Sequence, residues 1–346
     1  MPLRPNFVER RLIARGTIPW PLLDVFLAAQ QAAVVSAAAE LGLFDVLRGG
    51  ALTAEEVAAR TGASLPGTIA LLTALTGLGY VAEGAEGRVY LTPAARRAMP
   101  LDDIRTIAPF LLELVRVAGE SAHAVREAPP GGVVDHSRIQ SGSMGRAFQT
   151  AMRWTAAGNM REVGQRVELP DSARRLLDVG GSHGLYTVAL CTKYPELHAT
   201  ILDWPIGIEA ARQTMHDHPD IAPRVDFAEG DFERDVELPG GYDVAFLGNI
   251  VHGLTPEQNA TLLAKIARAT TDSATVVILD QLAGKSGSAF SRGVAGLIGF
   301  NLFLVTGGRA YRFDEMREWL AAAGFPHATH TALRKAPGLS LVTARK

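Results

Sequence analysis

The strongest constraint on the fold is a run of glycines placed directly after an apolar segment. Residues 176–184 read Leu-Leu-Asp-Val-Gly-Gly-Ser-His-Gly, and an apolar helical pattern begins at Leu185. Glycine lacks the Cβ that would keep a ligand away from the backbone, and it adopts the φ values of a tight turn. A helix N-terminus adds N–H groups that have no partner inside the helix. The pattern therefore predicts a strand, a ligand-binding turn and a helix, which is typical of sites for nucleotide-like cofactors.

The spacing of the glycines does not fit the dinucleotide pattern Gly-x-Gly-x-x-Gly. Ending that pattern at Gly184 requires a glycine where the chain has Val179, and starting it at Gly180 puts Ser182 at the second glycine. The turn instead follows an acid, Asp178, and contains no lysine or arginine. An acid without a basic partner favours a cationic ligand over a pyrophosphate. S-adenosylmethionine carries a sulfonium and an ammonium group and no phosphate, so it satisfies this preference.

Two more predicted strands end in acids. The next apolar run ends at Asp203, roughly 20 residues beyond the turn, where a carboxylate accepts the ribose hydroxyls in nucleotide-binding units. A third run, residues 225–232, ends in Gly230, Asp231 and Phe232. We expect the carboxylate of Asp231 to accept the adenine amino group, with the ring of Phe232 beside it. Three consecutive strand ends thus supply three cofactor contacts.

Residues 20–100 predict helices followed by a small β-hairpin. Thr53 and Glu56 have capping-box spacing, a second helix follows Ser64, and residues 80–91 have the pattern of a hairpin. This winged-helix arrangement is also found in DNA-binding proteins. The second helix, residues 64–79, contains no arginine, lysine, asparagine or glutamine, which a recognition helix needs. We therefore favour dimerisation, or lining of a substrate cavity, over DNA binding.

The remainder of the chain indicates an α/β fold. Residues 101–165 are mostly helical, with a loop signal at 128–132, and further strands are predicted at 243–249, 275–280 and 339–344. Strands that alternate with helices are typical of a doubly wound, mainly parallel sheet. The carboxyl edge of such a sheet is where ligands bind. His252 lies at that edge, after the fourth strand and before a capping-box pattern at 255–258.

Four motifs in order resemble the class I S-adenosylmethionine-dependent O-methyltransferases of the caffeate, phenazine and polyketide-tailoring type. They are residues 176–184, 203–205, 230–232 and 249–254, and the resemblance covers nearly the whole chain. It implies a C-terminal Rossmann-like domain preceded by a mainly helical winged-helix domain, and a homodimer. The implied segments are a dimerisation domain at 1–100, a helical connector lining the acceptor pocket at 101–170, and the cofactor domain at 171–346.

The resemblance also assigns the reaction. It implies that His252 is the general base for the proton of a phenol, and that Asp280 orients it, with Asp in place of the more usual Glu. A second acid of the family corresponds to Ala310 here, and the usual Asp-Trp after the histidine is Gly253-Leu254. The cofactor half therefore matches the family well, while the catalytic half departs from it.

The remaining implied site residues fall into two sets. Four residues match acceptor-pocket positions, although an aromatic and a methionine four residues apart also suit a protein core: Phe148, Met152, Asn301 and Phe303. The predicted cofactor residues are Asp178, Gly180, Gly181, Gly184, Asp203, Trp204, Gly230, Asp231, Phe232, Gly248 and Asn249. No metal is expected, because the histidine pairs at 216–218 and 327–330 lack the spacing of a zinc motif.

Composition limits partners and compartment. A net charge of −2 gives no general attraction to nucleic acid or to an acidic membrane. The single cysteine, Cys191, suits a reducing cytoplasm, and residues 1–15 lack the apolar core of a secretory signal. Asp24 and Glu40 interrupt the apolar run at 18–47, so we expect a buried or dimer-facing helix there instead of a membrane span.

The sequence thus predicts a cytoplasmic methyltransferase that acts on a hydroxyl, phenolic by preference, of a small aromatic or polyketide-like secondary metabolite. Two alternatives stay open. A protein of this family with an altered catalytic half could bind the cofactor and catalyse hydroxylation, decarboxylation or cyclisation, and methyl transfer to nitrogen or carbon is also compatible with the motifs. A more distant alternative is a winged-helix transcription regulator.

Overall fold

A computed structural model describes residues 6–17, 20–128, 131–235, 237–284 and 288–346. The chain divides into two compact units, residues 1–116 and 117–346, which are described separately. The loop predicted at 128–132 lies partly outside the described residues, as does the start of the apolar run at 18–47. The division into three segments stays a prediction.

The first unit is helical with one small hairpin. Capping explains its central helices: Thr53 and Glu56 form the predicted capping box, and the hydroxyl of Ser64 caps the following helix. Strands β1 and β2 pair antiparallel, with Val81 opposite Leu91. The elements are α1 (Phe7–Ala14), α2 (Trp20–Glu40), α3 (Leu43–Arg48), α4 (Ala54–Thr61), α5 (Leu65–Gly77), β1 (Val81–Glu83), β2 (Val89–Leu91), α6 (Pro93–Ala98) and α7 (Ile104–Ala118).

Helix α2 is apolar and mostly exposed. By length and composition alone the stretch Leu22–Glu40 could cross a membrane, and 17% of it is buried. Its exposed side chains include Leu22, Val25 and Phe26. In α5, Leu72 and Leu75 are buried, as is Leu78 directly after the helix, whereas Ile69 is exposed.

The second unit alternates strands and helices after three leading helices. Its helices are α8 (Ser121–Glu127), α9 (Gly142–Ala157), α10 (Met160–Arg166), α11 (Leu185–Lys193), α12 (Pro205–His216), α13 (Pro256–Ala269), α14 (Ala289–Thr306) and α15 (Phe313–Ala322). Its strands are β3 (Arg175–Val179), β4 (His198–Asp203), β5 (Val225–Glu229), β6 (Tyr242–Gly248), β7 (Thr270–Ala283), β8 (Tyr311–Arg312), β9 (His327–Ala332) and β10 (Leu339–Arg345).

The described strands of this unit form one sheet in the order β5, β4, β3, β6, β7, β10, β9, with β8 paired to β7. The pairs from β5 to β7 are parallel, and β10 is antiparallel to both β7 and β9. The direction of strand addition reverses beside β3: the chain runs from β3 through β4 to β5 on one side, and then crosses from β5 to β6 on the other side of β3. This is the doubly wound, mainly parallel sheet that the alternating pattern predicts, and its switch point is where ligands bind.

Both faces of the sheet are covered by apolar clusters, so its central strands are buried on two sides. One cluster joins α10, α11 and α12 to the sheet through residues such as Leu176, Ile201 and Phe246. The other joins α13 and α15 to the opposite face through Leu177, Ile266 and Leu320. This burial explains why β3 and β6 are continuous apolar runs instead of alternating ones.

The structure changes three strand limits. The third strand ends at Glu229, so residues 230–232 form a loop. Strand β7 is longer than predicted at both ends, and β9 was not predicted, because its residues are mostly exposed and polar.

Candidate active site

The glycine turn follows β3 and begins α11. Gly180 and Gly184 have φ values of 63° and 70°, in the left-handed region that suits glycine. A Cβ on Gly181 would lie 2.7 Å from Cγ of Asp178, and one on Gly180 would overlap the side chain of Ile250. The turn therefore needs glycine both for its conformation and because other groups approach its backbone closely.

Asp178 lies beneath this turn with an exposed fraction of 1%. Its Oδ2 accepts a hydrogen bond of 2.6 Å from the hydroxyl of Thr187 in α11. Burial, with a smaller contribution from the charge of Asp203, raises the pKa of Asp178 to about 7 against the hydrogen bond from Thr187, which lowers it. The ionised carboxylate is thus poorly stabilised by its surroundings, and a cationic group near it would compensate.

Asp203 ends β4 and also holds the glycine turn. Its Oδ2 accepts the N–H of Ser182 and its Oδ1 accepts the N–H of Trp204, both at 2.7 Å. Burial raises the pKa of Asp203 to about 6 against these two hydrogen bonds, which lower it. Each oxygen of an ionised carboxylate has a second lone pair, so the bonds to the turn leave acceptor capacity for a ligand.

Ser182 connects the turn to α9. It is one of the described non-glycine residues with positive φ, at 46°, and its hydroxyl donates to Oε1 of Gln149. Gln149 is only 5% exposed. Sequence reasoning missed this contact, because its two members are 33 residues apart and Gln149 belongs to no recognisable motif.

The loop after β5 carries Asp231 and Phe232. The N–H of Gly230 donates to the carbonyl of Asp203 at 3.0 Å, which brings this loop beside the end of β4. Oδ1 of Asp231 accepts the N–H groups of Glu233 and Arg234. The carboxylate therefore orders its own loop, and Phe232 packs half-buried against the apolar cluster on one face of the sheet.

Gly248 and Asn249 end β6 at the same edge. Asn249 has a φ of 59°, and its N–H donates to the carbonyl of Leu279 at 2.8 Å. A Cβ on Gly248 would lie 3.0 Å from the ring of Phe246 and 3.2 Å from that of Tyr186. Burial raises the pKa of Tyr186 to about 12. The position thus requires a small residue because two aromatic rings pack against it.

His252 and Asp280 are in direct contact. Asp280 is fully buried at the end of β7, and its Oδ1 lies 2.5 Å from Nδ1 of His252. The same oxygen accepts the N–H of Gln281, and Oδ2 accepts the backbone N–H of His252 at 3.0 Å. An ionised carboxylate can only accept, so the proton of the neutral imidazole lies on Nδ1. Among the described residues none hydrogen-bonds to Nε2, which keeps its lone pair.

The short turn that carries His252 is held from three sides. Buried Asn259 donates to the carbonyls of Val251 and Leu254, at 3.0 and 3.3 Å. The hydroxyl of Tyr311 donates to the carbonyl of Leu254 at 2.6 Å. A Cβ on Gly308, just after α14, would overlap the carbonyl oxygen of His252. Sequence reasoning missed these supports, since they come from residues with no motif of their own.

The place of the family's second acid is apolar. Ala310 is buried, and a Cβ on Gly299 of α14 would lie 3.1 Å from its Cβ. A carboxylate at this position would be buried against a helix. With alanine at position 310, Asp280 is the one acid of this pair of positions that contacts His252.

The four predicted acceptor residues are half-buried on two helices. Phe148 and Met152 lie on α9, which packs against α11 and α12, the helices that follow the glycine turn and Asp203. Asn301 and Phe303 lie on α14, which packs against the turn that carries His252. Phe303 also contacts a small apolar cluster that includes Val117 and Leu304. The structure thus puts Phe148 and Met152 on a helix that packs beside the helices after the glycine turn and Asp203. It puts Asn301 and Phe303 on a helix that packs beside the turn carrying His252.

Family models match both parts of the chain. Residues 134–326 match the O-methyltransferase domain, and residues 22–100 match the O-methyltransferase dimerisation domain. The chain therefore belongs to the O-methyltransferase family, a family of secondary-metabolite tailoring enzymes that uses S-adenosylmethionine.

Individual relatives agree with this assignment. The 3-hydroxy-5-methyl-1-naphthoate 3-O-methyltransferase of Streptomyces sahachiroi is 30% identical over 335 residues, which cover 94% of each chain. The structure of PigF with SAH superposes with a TM-score of 0.82 at 26% identity, covering 95% of this chain and 100% of that one. The aclacinomycin 10-hydroxylase RdmB of Streptomyces purpurascens is 30% identical over 158 residues, 46% of this chain and 41% of that protein. The family thus includes a relative named for a different reaction.

Proposed function

We propose that this protein methylates a phenolic hydroxyl of a small aromatic or polyketide-like molecule, with His252 as the general base. The observation that carries the proposal is the contact between His252 and Asp280. A buried carboxylate that fixes the proton on Nδ1 leaves Nε2 as an acceptor at the carboxyl edge of the sheet, which is where a base for the acceptor hydroxyl is needed.

The residues of the glycine turn fit S-adenosylmethionine. A side chain on Gly181 would crowd Asp178, and one on Gly180 would crowd Ile250 and Phe232. Two buried acids with raised pKa values also lie at a turn without lysine or arginine. Bound there, the cofactor supplies an electrophilic methyl group on a sulfonium. We assign the methionine end to Asp178, Gly180, Gly181 and Gly184, the ribose to Asp203 and Trp204, and the adenine to Gly230, Asp231 and Phe232, with Gly248 and Asn249 closing the site.

His252 and Asp280 would handle the acceptor proton. A phenol has a pKa of about 10 and an imidazole one of about 6.5, so proton transfer to His252 in the ground state is uphill. Asp280 offsets part of this cost, because its charge stabilises the imidazolium that forms when Nε2 accepts the proton. Asp280 accepts three hydrogen bonds, from the N–H of Gln281 and from the backbone N–H and Nδ1 of His252, and together they keep the ring from turning.

The acceptor would lie between α9 and α14. Phe148 and Met152 offer an aromatic and a flexible apolar contact, and Asn301 and Phe303 flank the base from the other helix. The aromatic class is supported by the relative named for a hydroxynaphthoate. With one acid in the base pair in place of two, proton removal would depend more on positioning of the acceptor than on the strength of the base.

We also infer a homodimer formed through residues 22–100. The exposed apolar side chains of α2 lie in the region that matches the dimerisation domain, so a partner surface accounts for them without a membrane. Light scattering of the purified protein would measure twice the chain mass of 36.8 kDa. A monomer at micromolar concentration would contradict the inference.

A second candidate function follows from Ala310. Loss of one acid beside the base, together with a relative named as a hydroxylase, favours a reaction that uses the same cofactor site without methyl transfer. Methyl transfer to carbon or nitrogen is a further candidate, because the base pair does not define the attacking atom.

Labelled cofactor separates these candidates. The protein would be incubated with S-adenosylmethionine labelled in its methyl group and with 3-hydroxy-5-methyl-1-naphthoate, 1-naphthol and matched aromatic amines. We expect the label in a product whose carbon spectrum shows an O-methyl group. Products with the label on carbon or nitrogen, or altered acceptors that carry no label, would contradict O-methylation.

A further inference from the structure

A buried lysine on α13 hydrogen-bonds to the loop that follows β5. The side chain of Lys265 is 6% exposed, and its Nζ donates to the backbone carbonyls of Phe232, Glu233 and Asp235 at 3.0, 2.9 and 2.5 Å. An ammonium group has three donors. All three are therefore used by carbonyls of one four-residue segment.

This arrangement fixes the shape of the loop. Burial of an ammonium group costs several kcal/mol unless its hydrogen bonds are satisfied. Because the partners of Lys265 are three carbonyls within residues 232–235, moving that loop would leave the charge buried and unsatisfied. Lys265 is itself held by a helix whose buried face, including Leu262 and Ile266, packs on the sheet.

The segment that Lys265 holds, residues 232–235, also orients Asp231. The N–H of Asp231 donates to Oδ2 of Asp235 at 2.7 Å, and the N–H of Asp235 donates back to the carbonyl of Asp231 at 2.8 Å. A Cβ on Gly230 would lie 2.8 Å from the same Oδ2. Asp235 and Asp231 thus hold each other by two hydrogen bonds, and Lys265 holds Asp235 through the backbone carbonyl of Asp235.

We propose that Lys265 is a positioning residue for the adenine end of the cofactor. It does not touch the cofactor; it holds the loop so that the carboxylate of Asp231 and the ring of Phe232 are in place before binding, which reduces the ordering cost of binding. The inference rests on the proposed assignment of Asp231 and Phe232 to the adenine.

The chain offers a matched control. Nζ of Lys193 also closes a loop through two carbonyls, those of Gln165 and Val167 at 3.1 and 2.7 Å, and through the carboxylate of Glu168. That loop precedes β3 and contains none of the proposed site residues. Lys193→Met therefore removes the same kind of contact without touching the site.

The test compares two ligands by calorimetry: S-adenosylhomocysteine, and S-inosylhomocysteine, in which oxygen replaces the adenine amino group. Wild-type protein should prefer the adenine ligand, because the carboxylate of Asp231 accepts from an amino group and repels an oxygen. Lys265→Met should weaken binding of S-adenosylhomocysteine about tenfold, because the released loop would have to be ordered on binding, a cost similar to that of one or two hydrogen bonds. The variant should also show a smaller preference for the adenine ligand over the inosine ligand. Lys265→Gln should lie between the two, and Lys193→Met should match wild type.

Two results would overturn the proposal. A lower melting temperature for Lys265→Met with an unchanged preference would make Lys265 purely structural, and Lys265→Gln gives the same comparison if the methionine variant does not fold. No preference in wild type would remove the adenine role of Asp231 and with it that of Lys265. Label transfer by the wild-type protein tests the proposed function independently of either result.

Discussion

The glycine turn, residues 178–184, and the base turn, residues 251–254, follow parallel strands at one sheet edge but balance their charges differently. Buried Asp178 and Asp203 have only neutral hydrogen-bond donors, which is why their pKa values are raised. Asp280 is buried just as deeply but is paired with His252. The acids at the glycine turn thus still lack a cationic partner, whereas Asp280 already has His252 as its partner. Nε2 of His252 stays able to accept a hydrogen bond. Cofactor binding and proton removal should therefore be separable by mutation.

Removal of His252 should separate them most clearly. We expect His252→Ala to lower kcat about 10²- to 10⁴-fold, the usual contribution of a general base, while the Kd for S-adenosylhomocysteine stays at the wild-type value. Steady-state kinetics with a phenolic acceptor and calorimetry with the cofactor product measure the two quantities. His198→Ala, an exposed histidine at the opposite end of β4, is the control. Unchanged turnover in His252→Ala would remove the base assignment.

A side chain added in the glycine turn should have the opposite effect and impair cofactor binding. Gly180→Ala should lower the free energy of unfolding by about 2–4 kcal/mol, from the left-handed φ and the overlap with Ile250. Cofactor affinity should fall with it, because the added methyl would displace Ile250 and crowd Phe232, which we assign to the adenine. Urea unfolding and calorimetry give both values. Gly240→Ala is the control, since nothing lies within 4 Å of its Cβ; equal losses in the two variants would show that the turn has no special requirement.

These two turns also differ in how far the sequence predicts them. The glycine turn is built from neighbours: Asp178 and Asp203 lie within one strand-helix-strand unit, so spacing alone predicted both as cofactor residues. The base turn depends on Asn259, Asp280, Gly308 and Tyr311. They come from α13, β7, the loop after α14 and β8, all later in the chain. Of these, only Asp280 was found, through the family resemblance. Local spacing cannot reveal such supports, because they arise only when the sheet and α14 have formed.

The pH dependence of cofactor affinity tests the charge of the two buried acids at the glycine turn. Burial raises the pKa of Asp178 to about 7 and that of Asp203 to about 6, so both acids bind protons more tightly in the folded state. Their protonated forms favour folding at low pH, and this contribution is lost as pH rises from about 4 to about 7. A bound cation favours the ionised forms instead. Affinity for S-adenosylmethionine should therefore rise with pH up to about 7, by at most about tenfold per pH unit for each proton released.

Calorimetry between pH 5.5 and 7.5, in two buffers of different ionisation enthalpy, counts the protons released on binding. Asp178→Asn should lose the part of the profile near pH 7 and keep the part near pH 6 that comes from Asp203. His252→Ala should keep the whole profile, because the base turn does not contribute charge to the cofactor half. A wild-type profile that is flat over this range would contradict the assignment of the two acids to a cationic ligand.

The contact between Gln149 and Ser182 should give the smallest effect, and it tests whether α9 helps to hold the glycine turn. Gln149→Leu conserves volume but removes the acceptor of the Ser182 hydroxyl, at a cost of about 1 kcal/mol, or about fivefold in the Kd for S-adenosylhomocysteine. Ser182→Ala should cost a similar amount. If the hydrogen bond is the cause, the double variant should lose no more than either single one, since each already breaks the same bond. Additive losses would instead mean that the two side chains act separately, and that their hydrogen bond does not support the turn.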